Sequence, residues 1–215
     1  MINVKETIEQ ILRATGRDGM EDLLKYMEEA GFYTAPCSGA YHLAKEGGLA
    51  EHSLNVYNYM MELADAVMLA GDRMDVGESI AICAILHDLG KMGDHGKENY
   101  VHNYVRSRTK NKETGEYDYI QSEAKPYEIN KELAYIDHEV RSVMIAERYI
   151  KLTEGEEQAI LWHNGLYGIF KYEIQGKETP LYMLLHFADM WVSREVEKRR
   201  RTKRYGIKFQ TFKSR

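Results

Sequence analysis

With 215 residues, 44% of them hydrophobic, 29% charged and only three Pro, the chain is long enough to bury a substantial core and has the composition of a soluble, mostly helical protein. No run approaches the roughly 18 apolar residues that a spanning helix needs, which excludes a helical membrane protein. The net charge of -5 divides unevenly: residues 194–215 carry ten Lys/Arg and two Glu (+8), whereas residues 1–193 carry 19 Lys/Arg against 32 Asp/Glu (-13). An acidic body with a basic tail does not suit a general nucleic-acid coat. Cys37 and Cys83 form no CxxC pair, so neither a disulfide framework nor a cysteine zinc site is expected.

Apolar residues recur every three or four positions, and this spacing predicts helices near 4–14, 19–30, 49–70, 76–88, 138–151, 154–164 and 179–202. The first, in MINVKETIEQILRATG, lacks the apolar core of a signal peptide and reads as the opening helix of a cytoplasmic protein. Glycines punctuate the breaks, and Thr153 followed by Glu156 predicts a capping box. Only the polar, Tyr-rich stretch 97–130 departs from helical spacing. VHNYVRSR and EYDYIQSE flank KNKETG, which predicts a small hairpin near 99–122, either a flap beside a site or a surface excursion. No repeat or Pro/Ser linker divides the chain, so a single domain over 1–215 is expected, with N-terminal helices in 1–31 and a basic tail in 196–215.

Several of the apolar helices carry a polar side chain on the face that should be buried. His52 lies on a stripe formed by Leu49, Val56, Met60, Leu63 and Val67. Alone it would read as a satisfied core histidine. The next helix, ESIAICAILHDLGK, ends in His87-Asp88, and a carboxylate there is costly to bury without a cation or strong hydrogen bonds. His138 opens a helix whose Val140, Val143, Met144 and Ala146 read as packed; His163 closes EEQAILWHNG; Asp189 interrupts the apolar PLYMLLHFADMWVSR. Imidazoles and carboxylates in this number form the ligand set of divalent Mn, Fe, Ni, Co or Zn.

In this order and context the residues resemble the HD superfamily of metal-dependent phosphohydrolases. His52, His87-Asp88 and Asp189 match its H…HD…D pattern, and GGLAEHSLNV, AILHDLGK, HEVRSVMIAERYI, AILWHNG and LLHFADMW resemble family segments, over about residues 40–195. The resemblance implies an all-α bundle around one or two divalent metal ions (Mn, Fe, Ni, Co, Zn or Mg). It implies a first ion held by His52, His87, Asp88 and Asp189, and a second held by His138 and His163, with Asp88 bridging. It further implies hydrolysis of a phosphomonoester or phosphodiester, most readily of a nucleotide, by a metal-activated hydroxide that Asp88 orients while Lys91 faces the phosphate. The lesser alternative for Lys91 is a solvated residue at a helix end. His42 and Lys45, before the first ligand helix, and Arg194, one turn after Met190, are candidate substrate contacts, each with a purely structural alternative. A di-iron oxygenase, an HD-type nuclease and a non-catalytic nucleotide-binding regulator are the other readings. The expected partner is a small phosphorylated molecule and not a membrane; nucleic acid ranks below it, and self-association is left open. The tail reads as a solvated end, a docking segment, or a device that steers anions.

Overall fold

The computed structural model describes residues 3–68, 70–165 and 172–198, and the basic tail beyond Lys198 lies outside them. Helix α1 (Val4–Arg13) starts where the Asn3 side chain accepts from the Glu6 amide, and α2 (Met20–Glu29) follows a left-handed turn at Gly19. Their apolar faces bury Ile8, Leu12, Leu23 and Met27, and α1 lies against α3 (Gly48–Val67) and α4 (Ala70–Leu86). The C-terminal half of α4, from Ile80 to Leu86, is buried on every side. A helix that is apolar all round belongs at the centre of a fold, so whatever follows Leu86 is delivered to the interior. His87 and Asp88 follow it.

A 3₁₀ turn (Leu89–Met92) then leads into the polar excursion. It holds six short strands: β1 (Gly93–Asp94) with β2 (Lys97–Glu98), β3 (Tyr100–His102) with β6 (Tyr127–Ile129), and β4 (Tyr104–Lys110) with β5 (Tyr117–Gln121), all antiparallel. The expected hairpin near 99–122 is the β4–β5 pair, joined through 111–116. The all-α expectation therefore holds for the bundle and is corrected outside it. Alternating Tyr, Val and Ile without a helical stripe favour extended pairing over helix there. Tyr104, Tyr119 and Ile120 on this hairpin are exposed.

The chain returns as α5 (His138–Ala146), α6 (Glu154–Trp162) and α7 (Pro180–Trp191), and a π-helical turn (Val192–Val196) continues α7. Thr153 and Glu156 form the capping box reciprocally, and Thr179 caps α7 ahead of Pro180. The expected helix over 138–151 stops at Ala146, and its buried face differs from the apolar one. Glu139, Arg141 and Ser142 are buried while Met144 is 45% exposed. The polar face is buried because its groups are bonded: Arg141 donates to the Ala134 carbonyl at 2.7 Å, and Ser142 Oγ accepts from the Gly90 amide at 2.8 Å. Val67, expected on the inward stripe of α3, is 64% exposed, and Phe187 and Trp191 of α7 are also exposed. The expected helix over 179–202 can be followed to Lys198. Among the described residues, no helix is long and apolar enough to cross a membrane.

Candidate metal centre

Five helices bring four imidazoles and two carboxylates to the point where α4 ends. His52 stands in the first half of α3, with neighbours Ser53 and Val56 also buried. His87 and Asp88 terminate α4, His138 opens α5, His163 closes α6, and Asp189 lies in the last turn of α7. Gly90 permits this convergence. A Cβ there would stand 2.4 Å from the His138 carbonyl oxygen and 2.9 Å from Arg141 Cβ, so only glycine lets the start of α5 close onto the His-Asp turn.

Asp88 is at the middle. Its Oδ1 lies 3.3 Å from His138 Nε2 and 3.4 Å from His163 Nε2. Its Oδ2 lies 3.4 Å from His87 Nε2, 3.6 Å from His52 Nε2 and 2.6 Å from Lys91 Nζ. Asp189 Oδ1 is 3.1 Å from His52 Nε2. The two oxygens of one carboxylate thus face two separate groups of imidazoles. Burial opposes charge on Asp88, yet Lys91 and the histidines hold its carboxyl well below the usual range, and His52 likewise keeps Asp189 ionised. His87 and His138 are pushed down by burial, towards the neutral, lone-pair form that a cation needs.

The chemistry of the set fits a divalent cation. His52 Nε2, His87 Nε2 and Asp88 Oδ1 are fully buried and have no aligned hydrogen-bond partner, a costly state that a shared cation would relieve. Ligand-type atoms converge within 4.8 Å in the groups His52–His87–Asp189, His87–Asp88–His163 and His138–Glu139–His163. The backbone orients two of the rings. His87 Nδ1 is 3.0 Å from the Ala84 carbonyl and His163 Nδ1 is 2.7 Å from the Ile160 carbonyl, which leaves each Nε2 aimed at the centre.

A cleft of about 710 Å³ opens over the centre and reaches His163, Asp189 and Lys91 on its floor. His42, Lys45 and Arg194 all line it. His42 is packed against Cys37 Sγ at 3.2 Å, and burial holds its pKa down to about 4. Lys45 is paired with Glu51 at 2.5 Å. Lys91 is not a solvated helix end: its side chain is 14% exposed and its ammonium sits on Asp88. Lys91 also borders a second cavity of about 270 Å³ with Tyr100 and Tyr127, so these tyrosines lie away from the main cleft. His186 also lines the cleft and stands 2.7 Å from the His163 carbonyl through Nδ1.

Three groups of the centre escape a reading of the sequence. Glu197 meets His52 Nδ1 at 3.0 Å from eight residues beyond Asp189, a spacing off the helical face. Half-buried Asn164 is bonded to buried Glu139 beside His138; adjacency to His163 and His138 was their one available signal. Cys37 lies in a loop with no periodicity, 3.9 Å from Asp88 Oδ2.

A family model described as HD domain matches residues 49–189, about two thirds of the chain. No curated protein and no solved structure matches it. The span opens three residues before His52 and closes on Asp189, so it encloses the whole set of converging residues.

Proposed function

The chain belongs to the HD-domain superfamily of metal-dependent phosphohydrolases, and from that premise we propose that it hydrolyses a phosphomonoester or phosphodiester of a nucleotide. The observation that carries this is the division of Asp88. One oxygen faces His138 and His163 and the other faces His52 and His87, beneath a cleft large enough for a nucleotide that reaches His163 and Asp189. His52, His87, Asp88 and Asp189 would hold a first divalent cation, and His138, His163 and Asp88 a second. When bound, such ions supply Lewis-acid charge that neutralises phosphate oxygens and acidifies water.

The remaining work falls to the protein. Asp88, kept ionised, orients the attacking group and accepts from Lys91. Lys91 lines the cleft, where its positive charge would offset the negative charge developing on a bound phosphate in the transition state. Burial opposes that charge, but Asp88 outweighs it and keeps Lys91 protonated. Lys45, Arg194 and Lys198 on the cleft wall favour an anionic substrate. Exposed Tyr41 on the same wall offers a face for a base.

The experiment is a panel of nucleotides and generic phosphoesters, assayed on metal-stripped protein reloaded with Mn, Co, Ni, Mg or Fe. Phosphate release that appears with the metal and is fastest on nucleotides supports the reading. Full metal loading with no release from any ester would reject it and favour the regulator; iron-dependent oxygen consumption would favour the oxygenase.

A further inference from the structure

Of the three fully buried histidines at the centre, His87 and His163 set their Nδ1 against backbone carbonyls. His52 differs. Its Nδ1 meets both carboxylate oxygens of Glu197, at 3.0 and 3.2 Å. Glu197 is 4% exposed, and Asn55 Nδ2 donates to its Oε1 at 3.1 Å. Burial works against a charge on Glu197, but the bonds from His52 and Asn55 hold its carboxyl below the ordinary range. Burying a third carboxylate behind a cluster that already holds Asp88 and Asp189 is expensive.

The backbone goes out of its way to place it. At 3.6 residues per turn, seven residues return a straight helix to within about 20° of its starting face, and eight overshoot by about 80°. Glu197 is eight residues after Asp189, so an unbroken α7 would put Val196, not Glu197, over His52. The π turn at Val192–Val196 closes with the Glu197 amide bonded to the Val192 carbonyl, five residues back. That wider turn absorbs one residue and brings Glu197 onto the face of Asp189. Single π turns of this kind are frequent at functional sites.

We propose that Glu197 is a positioning residue for the metal centre, and that the π turn serves to deliver it. Its carboxylate accepts a hydrogen bond from the Nδ1–H of His52, fixes the ring and its tautomer, and presents Nε2 as the most basic imidazole ligand of the first cation. Asn55 holds the carboxylate in register. The inference rests on the metal-centre reading and adds what determines that centre's affinity.

The competing account is a buried ion pair that only secures the helix end. The full-length, metal-stripped chain titrated with Mn²⁺ separates the two. Glu197→Gln keeps the shape and one acceptor oxygen but loses the charge. Its tighter Mn²⁺ affinity should fall roughly 10- to 100-fold, with unchanged helix content. Nitrogen-15 spectra of the Zn²⁺-loaded wild type, with His52 assigned by substitution, should show Nδ1 protonated and Nε2 coordinated. Glu197→Gln binding Mn²⁺ within about twofold of wild type would overturn the proposal (the margin sits well below the expected loss). Coordination through Nδ1 of His52 overturns it as well, whether or not the variant folds. If the wild type itself takes up no divalent cation, the metal-centre reading fails first and this role falls with it.

Discussion

Asp88 concentrates the chemistry of the site into one side chain. A carboxylate so buried survives because four imidazoles and an ammonium surround it, and each of its oxygens has a distinct set of neighbours. Asp88→Asn should therefore abolish both metal uptake and hydrolysis, since an amide oxygen is a poor ligand for one cation and its nitrogen repels a second. The loss should exceed the roughly 10- to 100-fold that follows when only a group behind a ligand is removed. His138→Ala and His163→Ala should each lower stoichiometry from two ions to one and retain the helical spectrum. Elemental analysis alongside kinetics checks both; two full equivalents in either histidine variant would reduce His138 and His163 to packing residues. Lys91 follows from the same geometry. Lys91→Ala leaves Asp88 Oδ2 without its nearest cation, so metal should bind at least as tightly while kcat falls.

At the scale of elements, the bundle was legible wherever one apolar stripe met one core. The seven α-helices of the described residues overlap the spans that three- and four-residue spacing predicts, although α4 begins at Ala70 and α5 ends at Ala146, and the capping box at Thr153 is formed as its residues require. The His-Asp turn was legible for the same reason, because an apolar helix has to end in the interior. What spacing could not supply was polar burial satisfied by partners distant in sequence. The inward face of α5 carries Glu139, Arg141 and Ser142, whose partners are in the Gly90 turn, at Ala134 and at Asn164. Glu197 was hidden because a π turn changes the helical count, and nothing in VSREV announces one. Gly90 ties these points together. Gly90→Ala forces a methyl into the His138 carbonyl and Arg141 Cβ. Overpacking of this kind costs about 1–3 kcal/mol, and it falls on the α5 contact. Calorimetry should show a lower melting temperature and weaker binding of the second cation, with the first nearly unaffected. Equal weakening of both would mean that α5 does not move independently of the His-Asp turn.

For the molecule as a whole, the N-terminal helices are joined to the bundle by two ionic clamps that include none of the converging histidines and aspartates. Arg17, between α1 and α2, reaches Glu156 at the start of α6 with contacts of 2.6 and 3.1 Å, and Ser79 and the Thr153 amide complete that carboxylate's shell. Tyr26 of α2 donates to Asp94 at 2.5 Å, and Arg148 grips both oxygens of Asp94 at 2.8 and 2.6 Å. Burial would raise both carboxyl pKa values, but these partners outweigh it and depress them, Asp94 far below its ordinary range and Glu156 to a lesser degree. A carboxylate with a depressed folded pKa binds its proton more weakly when folded than when unfolded. Its stabilisation is therefore complete above the unfolded value of about 4 and drains away as pH falls through that value towards the folded one. Melting temperature should be nearly flat from about pH 7 to 5 on their account and fall steeply below. Asp94→Asn should lower it at pH 7, where Arg148 and Arg141 lose their counter-charge, and flatten the decline below pH 5. Metal-stripped protein is the right sample, because the ligand carboxylates and imidazoles of the loaded centre titrate on their own account. An unchanged acid slope in Asp94→Asn would mean that this clamp does not link the helices to the bundle.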